Sequence, residues 1–151
     1  MLQKGRNVLS GEYRHNIDAK GRLIIPAKFR EKLGEEFVVT KGIDKCLLIF
    51  PMKEWEAFEE ELQKLPRSKN AREYIRHMVG SAETEEPDKM GRANIPQPLR
   101  QYAGLEKEVV LSGVLDRIEI WDSTAWDARN SETCDNIEEI TESLAQQGFN
   151  I

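Results

Sequence analysis

Short apolar runs separated by turn residues predict β-structure over the first fifty positions. β-Branched and aromatic residues cluster in four runs that predict strands, over residues 13–17, 22–25, 37–40 and 46–50. Between the first two runs, Asp18-Ala19-Lys20-Gly21 predicts a turn in which Gly21 is free to adopt a positive φ. Pro26 has no N–H, so it ends the second strand and opens a short helix over 27–33, which Gly34 terminates.

Helical spacing of apolar residues replaces the strand pattern after position 50. Residues 51–65 present five glutamates on one face and apolar side chains on the other, which predicts an amphipathic helix; the apolar residues are Trp55, Phe58, Leu62 and Leu65. A polar break at 66–70 precedes a second predicted helix over 71–82. From Ser123 onwards, apolar residues at helical steps predict an acidic terminal helix, interpreted as a solvated face or a frayed end.

A thirteen-residue segment occurs twice, at positions 18–30 and 88–100. Six identical residues recur at an offset of 70, including the Asp and Arg of a D-x-x-x-R motif and the Pro that follows it. Later matches keep an offset of 71 and pair Phe50 with Trp121. Self-similarity at a fixed period predicts two copies of one structural unit. The second copy is expected to contain further short elements, with strands over 92–95, 109–112 and 117–121 and a helix over 98–102.

The repeat has a consequence for the fold. Neither copy carries enough apolar residues to bury a sheet alone, so the two copies are expected to pair and to cover each other's strand edges. The sequence therefore predicts an α+β protein of two tandem βαββ-type repeats, intertwined about a pseudo-two-fold axis, with flanking helices. The expected domains are a first repeat, linking helices, a second repeat and an acidic tail, over residues 8–57, 58–82, 83–129 and 130–151.

Composition excludes membrane-spanning and secreted proteins. The 151 residues are 39% hydrophobic and 32% charged. They contain no run of about 18 apolar residues and no apolar segment behind Met1 of the kind that a signal peptide needs. Cys46 and Cys134 lie 88 positions apart, which fits neither a zinc site nor a disulfide framework. We therefore expect a cytoplasmic protein with no membrane contact.

Charge is distributed unevenly along the chain. The net charge is −5, yet residues 1–34 contain eight basic and three acidic side chains and carry +5, which leaves −10 for the remainder. A local basic surface on an acidic protein is able to bind phosphate when the fold presents it away from the acidic part. Within that segment, Lys4 and Arg6 are expected to add phosphate contacts or to belong to a disordered extension over residues 1–7.

The sequence lacks the usual catalytic and cofactor motifs. Its two histidines, His15 and His77, have no metal-ligand partner at a suitable spacing, and neither a P-loop nor a dinucleotide-binding glycine motif occurs. Asp18 and Asp88 would form a carboxylate dyad if symmetry brought them together. An Arg four residues after each is instead expected to lower both pKa values and keep both carboxylates ionised. The prediction is a protein that is not an enzyme and has neither a metal nor a cofactor.

The repeated D-x-x-x-R motif carries the candidate chemistry. Five members of its two copies are interpreted as structural residues that fix the turns, namely Asp18, Gly21, Asp88, Gly91 and Arg92. Arg22 differs from its counterpart because the first copy surrounds it with further basic residues, which are Arg14, His15 and Lys20. The second copy has Thr84, Glu85 and Met90 at those positions. Because a two-stranded ribbon fits the DNA major groove, where Arg and Lys read guanine, the first motif is the predicted DNA-binding site.

These motifs resemble the MraZ family over residues 8–130. The resemblance rests on both D-x-x-x-R motifs, on Trp55 and on four flanking segments, at 11–13, 26–30, 46–51 and 120–122. Family members are two-repeat proteins of the AbrB/SpoVT-like swapped-hairpin class. They form rings of many subunits and regulate transcription of the bacterial division and cell-wall gene cluster by binding short direct repeats in its promoter. The resemblance implies the same fold, double-stranded DNA as partner, a ring-shaped homo-oligomer and a nucleoid-associated location.

By the same resemblance, Arg22 is the main DNA-contacting residue and Lys20 its near partner. Charge and proximity extend the predicted site to Arg14 and His15. In the second copy, the loss of basic neighbours argues against an equal role for Arg92. The predicted function is sequence-specific regulation of transcription, with repression as the expected effect.

Two other functions remain open at this point. One is a scaffold that binds a protein through the acidic tail instead of DNA. The other is an antitoxin-like interaction module, which would need a disordered tail to wrap a toxin. This hypothesis is weaker, because residues 131–151 are short and partly helical in pattern. A basic cluster in the middle of the chain is interpreted as a solvated helix face rather than as a DNA contact; its members are Arg67, Lys69, Arg72 and Arg76.

Overall fold

The repeated segments fold into matching elements in a computed structural model, which describes residues 8–150. The described chain has eight strands: β1 Leu9–Asn16, β2 Arg22–Ile24, β3 Phe37–Lys41, β4 Leu47–Pro51, β5 Glu83–Glu85, β6 Arg92–Asn94, β7 Glu108–Leu115 and β8 Ile118–Asp122. Its six helices are α1 Ala27–Leu33, α2 Met52–Gln63, α3 Lys69–Met78, α4 Gln97–Ala103, α5 Ser123–Asp135 and α6 Ile137–Gln146. None of these helices is long and apolar enough to cross a bilayer. The expectation for Lys4 and Arg6 lies outside the described residues.

Most predicted elements are confirmed, with differences at their ends. The helix between Pro26 and Gly34 has the predicted bounds, because proline and glycine mark both of its ends. The second central helix begins earlier than predicted, because the Ser68 hydroxyl caps it by accepting the N–H of Ala71 at 3.1 Å. The terminal helix divides at Asn136 into α5 and α6. Strand β5 was not predicted, since its sequence, Glu-Thr-Glu, has no apolar residue.

The two halves of the chain exchange strands within one antiparallel sheet. Its strand order is β1-β7-β8-β4-β3-β5, so that the hairpins β3–β4 and β7–β8 meet at its centre. The first strand of each half then pairs with the other half's hairpin, β1 with β7 along eight residues and β5 with β3 along three. This exchange confirms that the halves are intertwined, and it places β1 and β5 at equivalent edges.

A separate two-stranded ribbon lies above this sheet. In it β2 pairs antiparallel with β6, so that Leu23 faces Ala93 across the ladder. The N–H of Ile25 donates to the Gly91 carbonyl at 2.9 Å, and that of Ile95 donates to the Gly21 carbonyl at 2.7 Å. Each half therefore supplies one strand of the ribbon, and each strand's end is bonded to the opposite half's turn.

The central strands of the six-stranded sheet are apolar on both faces. One face packs against the ribbon and helices α1 and α4, through a core that includes Phe29, Phe37 and Ile95. The other face packs beneath α2 and α3, through a second core that includes Phe50 and Trp55. Because side chains alternate along a strand, neighbouring residues of β3 and β4 enter different cores. The first core, which contains the buried residues Leu23 and Ala93, fixes the position of the ribbon relative to the sheet.

Candidate nucleic-acid interface

The first D-x-x-x-R motif forms a tight turn around one carboxylate. Asp18 Oδ1 accepts the backbone N–H groups of Lys20 at 2.9 Å and Arg22 at 2.8 Å. Its Oδ2 accepts the Nε–H of the Arg22 side chain at 2.7 Å. The backbone N–H and the guanidinium of Arg22, together with the N–H of Lys20, lower the pKa of Asp18 below its usual value. The ionised carboxylate therefore holds both the turn and the arginine side chain.

The second motif repeats this geometry in the other half of the molecule. Asp88 Oδ1 accepts the backbone N–H groups of Met90 and Arg92, both at 2.9 Å, and its Oδ2 accepts the Arg92 Nε–H at 2.8 Å. The same donors lower the pKa of Asp88. Each aspartate sits in its own turn with its own arginine. Both carboxylates are therefore kept ionised, as the sequence predicts, and neither is set up as the protonated member of a catalytic dyad.

Glycine is required in both turns. Gly21 and Gly91 adopt φ values of +84° and +78°, a region that other residues enter at a cost. Arginines of the opposite half also lie against them. A Cβ on Gly21 would lie 2.8 Å from the Ile95 carbonyl oxygen and 2.9 Å from Arg100 Nε, and one on Gly91 would overlap the Arg30 guanidinium. The two turns therefore need close backbone approach as well as positive φ.

Arg30 and Arg100 are supporting residues that sequence reasoning did not single out. They occupy equivalent positions at the end of the repeated segment, on α1 and α4. Arg100 Nε donates to the carbonyl of Ile95 at 2.9 Å, across the turn that contains Gly21. The repeat could have identified them, because Arg30 and Arg100 are separated by the same offset of 70 as the two D-x-x-x-R motifs. These side chains link each turn to the helix of the opposite half.

The ribbon brings both motifs to one exposed surface. Leu23 and Ala93 point into the core and are fully buried. Their neighbours point away from it and form the surface called here the ribbon face, which consists of Arg22, Ile24, Arg92 and Asn94. Arg22 lies opposite Asn94, and Ile24 lies opposite Arg92. Sequence reasoning treated the two arginines separately, whereas the structure places them on one surface.

Arg22 is oriented and still accessible on the ribbon face. Its side chain retains 38% of its exposure, although its Nε is bound by Asp18. Within residues 8–150, Asp18 is the hydrogen-bond partner of this guanidinium, which leaves both terminal nitrogens available. Arg92 has the same arrangement with a less exposed side chain, at 25%. Lys20 is exposed on the first turn, where the second has Met90.

Arg14 and His15 lie on β1, away from the ribbon ladder. Ile17, which follows β1, forms an isolated bridge with Leu23 of β2, and the ladders of both strands run to the other half of the chain. The Nη2 of Arg14 donates to Oδ1 of Asp127 on α5 at 2.6 Å, and its Nη1 lies 3.5 Å from Oε1 of Glu108. The charge of Arg14 is therefore compensated within the molecule. Its guanidinium lowers the pKa of Asp127. His15 is half-buried on the opposite face of β1.

Comparison with known proteins places this architecture in a family. A family model described as "MraZ protein, putative antitoxin-like" matches residues 8–77 and again residues 78–147. The chain belongs to the MraZ family. It is 51% identical over 138 residues to the transcriptional regulator MraZ of Limosilactobacillus reuteri, covering 91% of this chain and 97% of that protein. It is 49% identical over 139 residues to the transcriptional regulator MraZ of Lachnoclostridium phytofermentans, covering 92% and 96%.

MraZ membership confirms the resemblance seen in the sequence, and the double match confirms the tandem repeat. It places the chain among transcriptional regulators, a class of proteins that is generally not enzymatic. The two cysteines of this MraZ chain are unpaired. Burial raises the pKa of Cys46 to about 12, so its thiol is protonated at neutral pH and serves as an apolar core residue. Within the described residues, no group of three or more His, Cys, Asp or Glu side chains is placed to hold a metal.

Proposed function

We propose that this protein regulates transcription by binding double-stranded DNA sequence-specifically through the ribbon face. One observation carries the proposal: two D-x-x-x-R turns, one from each half, lie on a single exposed two-stranded ribbon. A two-stranded ribbon is narrow enough to enter the major groove. Arginines on its outward face then meet the edges of the bases.

Arg22 is assigned the main base contact in this proposal. An arginine reads guanine by donating two hydrogen bonds to O6 and N7. Asp18 holds the Nε of Arg22, so the terminal nitrogens are oriented before DNA arrives and less side-chain freedom is lost on binding. Lys20, exposed on the same turn, supplies a phosphate or base contact beside it. Asp18 and Gly21 act as positioning residues.

Arg92 is assigned a weaker contact on the same face. Its turn repeats the geometry, with Asp88 and Gly91 in the positioning roles. The position equivalent to Lys20 is Met90, so the second turn has less positive charge to offer to phosphate. Arg14 and His15 are placed at the margin of the interface. Because Arg14 is compensated by Asp127, its contribution is expected to be small.

Several copies of the ribbon face are needed for strong binding. One subunit carries a net charge of −5, which opposes approach to DNA. A ring-shaped homo-oligomer that presents successive ribbon faces to short direct repeats makes each further contact intramolecular, which raises avidity by about 10²–10⁴-fold. We therefore include in the proposal a ring that represses the division and cell-wall gene cluster from promoter direct repeats, on nucleoid DNA in the cytoplasm.

In this proposal, each segment of the chain has its own role. Residues 8–57 and 83–129 supply the two halves of the DNA-binding unit. Residues 58–82 link them, and residues 130–151 form the acidic tail. In this arrangement the DNA-contacting turns belong to the repeats, and self-association belongs to the helices.

Fluorescence anisotropy across a salt series tests the proposal. The probe is duplex DNA that carries several short direct repeats from upstream of the protein's own gene, with a scrambled duplex as the specificity control. We expect Arg22→Ala to lose most of the specific binding while its oligomer mass is unchanged. Lys69→Ala, which removes an exposed charge from α3, is the matched control and should bind as the wild type does.

The salt dependence separates the proposed function from its alternatives. Phosphate contacts give a steep negative slope of log affinity against log salt, about 0.9 for each phosphate neutralised. Equal binding by wild type and Arg22→Ala would remove Arg22 from the interface. Absence of binding by the wild type at low salt would contradict DNA recognition altogether and would favour the scaffold function instead.

A further inference from the structure

An apolar stripe on α6 is exposed to solvent. Ile137, Ile140 and Leu144 follow one another at helical spacing, and Phe149 extends the stripe beyond the helix end. These four side chains retain between 39% and 55% of their exposure. None of the ten residues of α6 is buried. A contiguous apolar stripe that is uncovered in the monomer marks an interaction surface.

Acidic side chains flank this stripe. Glu138, Glu139 and Glu142 give α6 a charge of −3, because the helix contains no Lys or Arg. A surface that pairs with α6 must therefore offer apolar contact together with positive charge. A groove within the described residues offers that combination.

The groove lies between α2 and α3. It has a volume of about 480 Å³, and its apolar lining includes Leu62, Leu65, Ile75 and Val79. Arg67 and Arg72 also line the groove, together with one carboxylate, Glu59. Leu65 is 40% exposed at the mouth of the groove. The lining of the groove therefore carries two positive charges against one negative charge.

We propose that α6 of one subunit docks into the α2–α3 groove of a second copy of this chain. The apolar stripe of α6 would cover Leu65 and Ile75, and its glutamates would face Arg67 and Arg72. Helix-in-groove contacts of this kind use apolar anchors at successive helical turns, as Ile137, Ile140 and Leu144 provide. Both surfaces lie outside the ribbon face, so docking leaves that face free.

The contact has a geometric consequence. A helix and a groove are different patches of the same chain, so their pairing is heterologous, and repeated head-to-tail pairing produces a closed ring or an open filament. The inference thereby supplies a contact for the proposed ring and rests on that part of the proposed function. It stands apart from DNA recognition, because the size of the oligomer is measured without DNA.

Two single substitutions separate the two sides of the contact. Leu144→Glu places a charge in the α6 stripe, and Leu65→Glu places one at the mouth of the groove; both side chains are exposed, so folding should be preserved. The matched controls add the same charge elsewhere, Gln146→Glu on the opposite face of α6 and Asn70→Asp beside the groove. Ile140→Glu is a second stripe variant. Melting temperature verifies folding, and sedimentation velocity gives the mass.

A mixing experiment gives the decisive result. We expect the wild type and both controls to be oligomeric and each of the Leu variants to be monomeric. A 1:1 mixture of Leu144→Glu and Leu65→Glu retains one intact groove and one intact α6, so it should form dimers and nothing larger. A monomeric wild type, an oligomeric Leu144→Glu or Leu65→Glu, or a mixture that stays monomeric would each overturn the proposal.

Discussion

Arg22 and Arg14 show how surroundings decide what two exposed arginines are able to do. Both come from the basic first segment of the chain, and the sequence analysis included both in the predicted DNA-binding site. Asp18 holds Arg22 through its Nε and leaves the terminal nitrogens available. Asp127 instead binds a terminal nitrogen of Arg14, with Glu108 nearby. The pairing of Asp18 with Arg22 was visible in the local sequence, because the two residues are four positions apart. The second pairing joins residues 113 positions apart, so it required the fold.

At the residue scale, we predict that Asp127→Asn strengthens DNA binding. Neutralising Asp127 leaves the charge of Arg14 less compensated and therefore available to phosphate. The slope of log affinity against log salt should steepen by up to about 0.9, the value of one additional phosphate contact. The measurement is anisotropy of labelled duplex across a salt series.

Two controls isolate the effect to Arg14. Glu132→Gln removes an equal charge from an exposed position of the same helix and should leave the affinity nearly unchanged. The double variant Arg14→Ala/Asp127→Asn should lose the gain. An equal gain in Glu132→Gln would show that net charge, and not Arg14, is responsible.

At the scale of elements, local signals and long-range pairing were predicted with different success. Pro26 and Gly34 delimit α1, so its bounds followed from the sequence. Strand β5 was not predicted, because its three polar residues form a strand only by pairing with the edge of β3. The exchange of β1 and β5 between halves also lay beyond local pattern, since a strand's hydrophobic period does not specify its partner. The repeat predicted that the halves would pair, and the structure supplied the register.

We also predict at this scale that Gly91→Ala destabilises the protein more than Gly104→Ala. Both glycines have positive φ, which costs other residues about 1–2 kcal/mol. Gly104 has open space around the Cβ position, so this backbone cost is its whole penalty. At Gly91 the added methyl group also displaces Arg30 of the opposite half.

Urea denaturation of the two variants measures the difference. The free energy of unfolding should fall by about 1–2 kcal/mol in Gly104→Ala and by a larger amount in Gly91→Ala. Equal losses would show that the Arg30 side chain moves aside freely, and that the contact between halves at this turn contributes little to stability.

At the scale of the whole molecule, the three surfaces on which our proposals rest lie apart in space. The ribbon presents both D-x-x-x-R turns on one side of the six-stranded sheet, where helices α1 and α4 support it. Helices α2 and α3 cover the other side and form the groove proposed for self-association. The tail adds a helix with an unburied apolar stripe. In the proposed ring, a chain of net charge −5 would present the ribbon face to DNA once in every subunit.

Site-specific photo-cross-linking tests the central claim, that the ribbon face holds the DNA, most directly. A photo-activatable phenylalanine replaces Asn94, which is exposed on the ribbon face opposite Arg22, or Lys69 on α3 as the control. Each protein is irradiated on duplex that carries the direct repeats. The account predicts a covalent protein–DNA product from position 94 that disappears with scrambled duplex, and none from position 69. A product from position 69, with none from position 94 while binding persists, would contradict it.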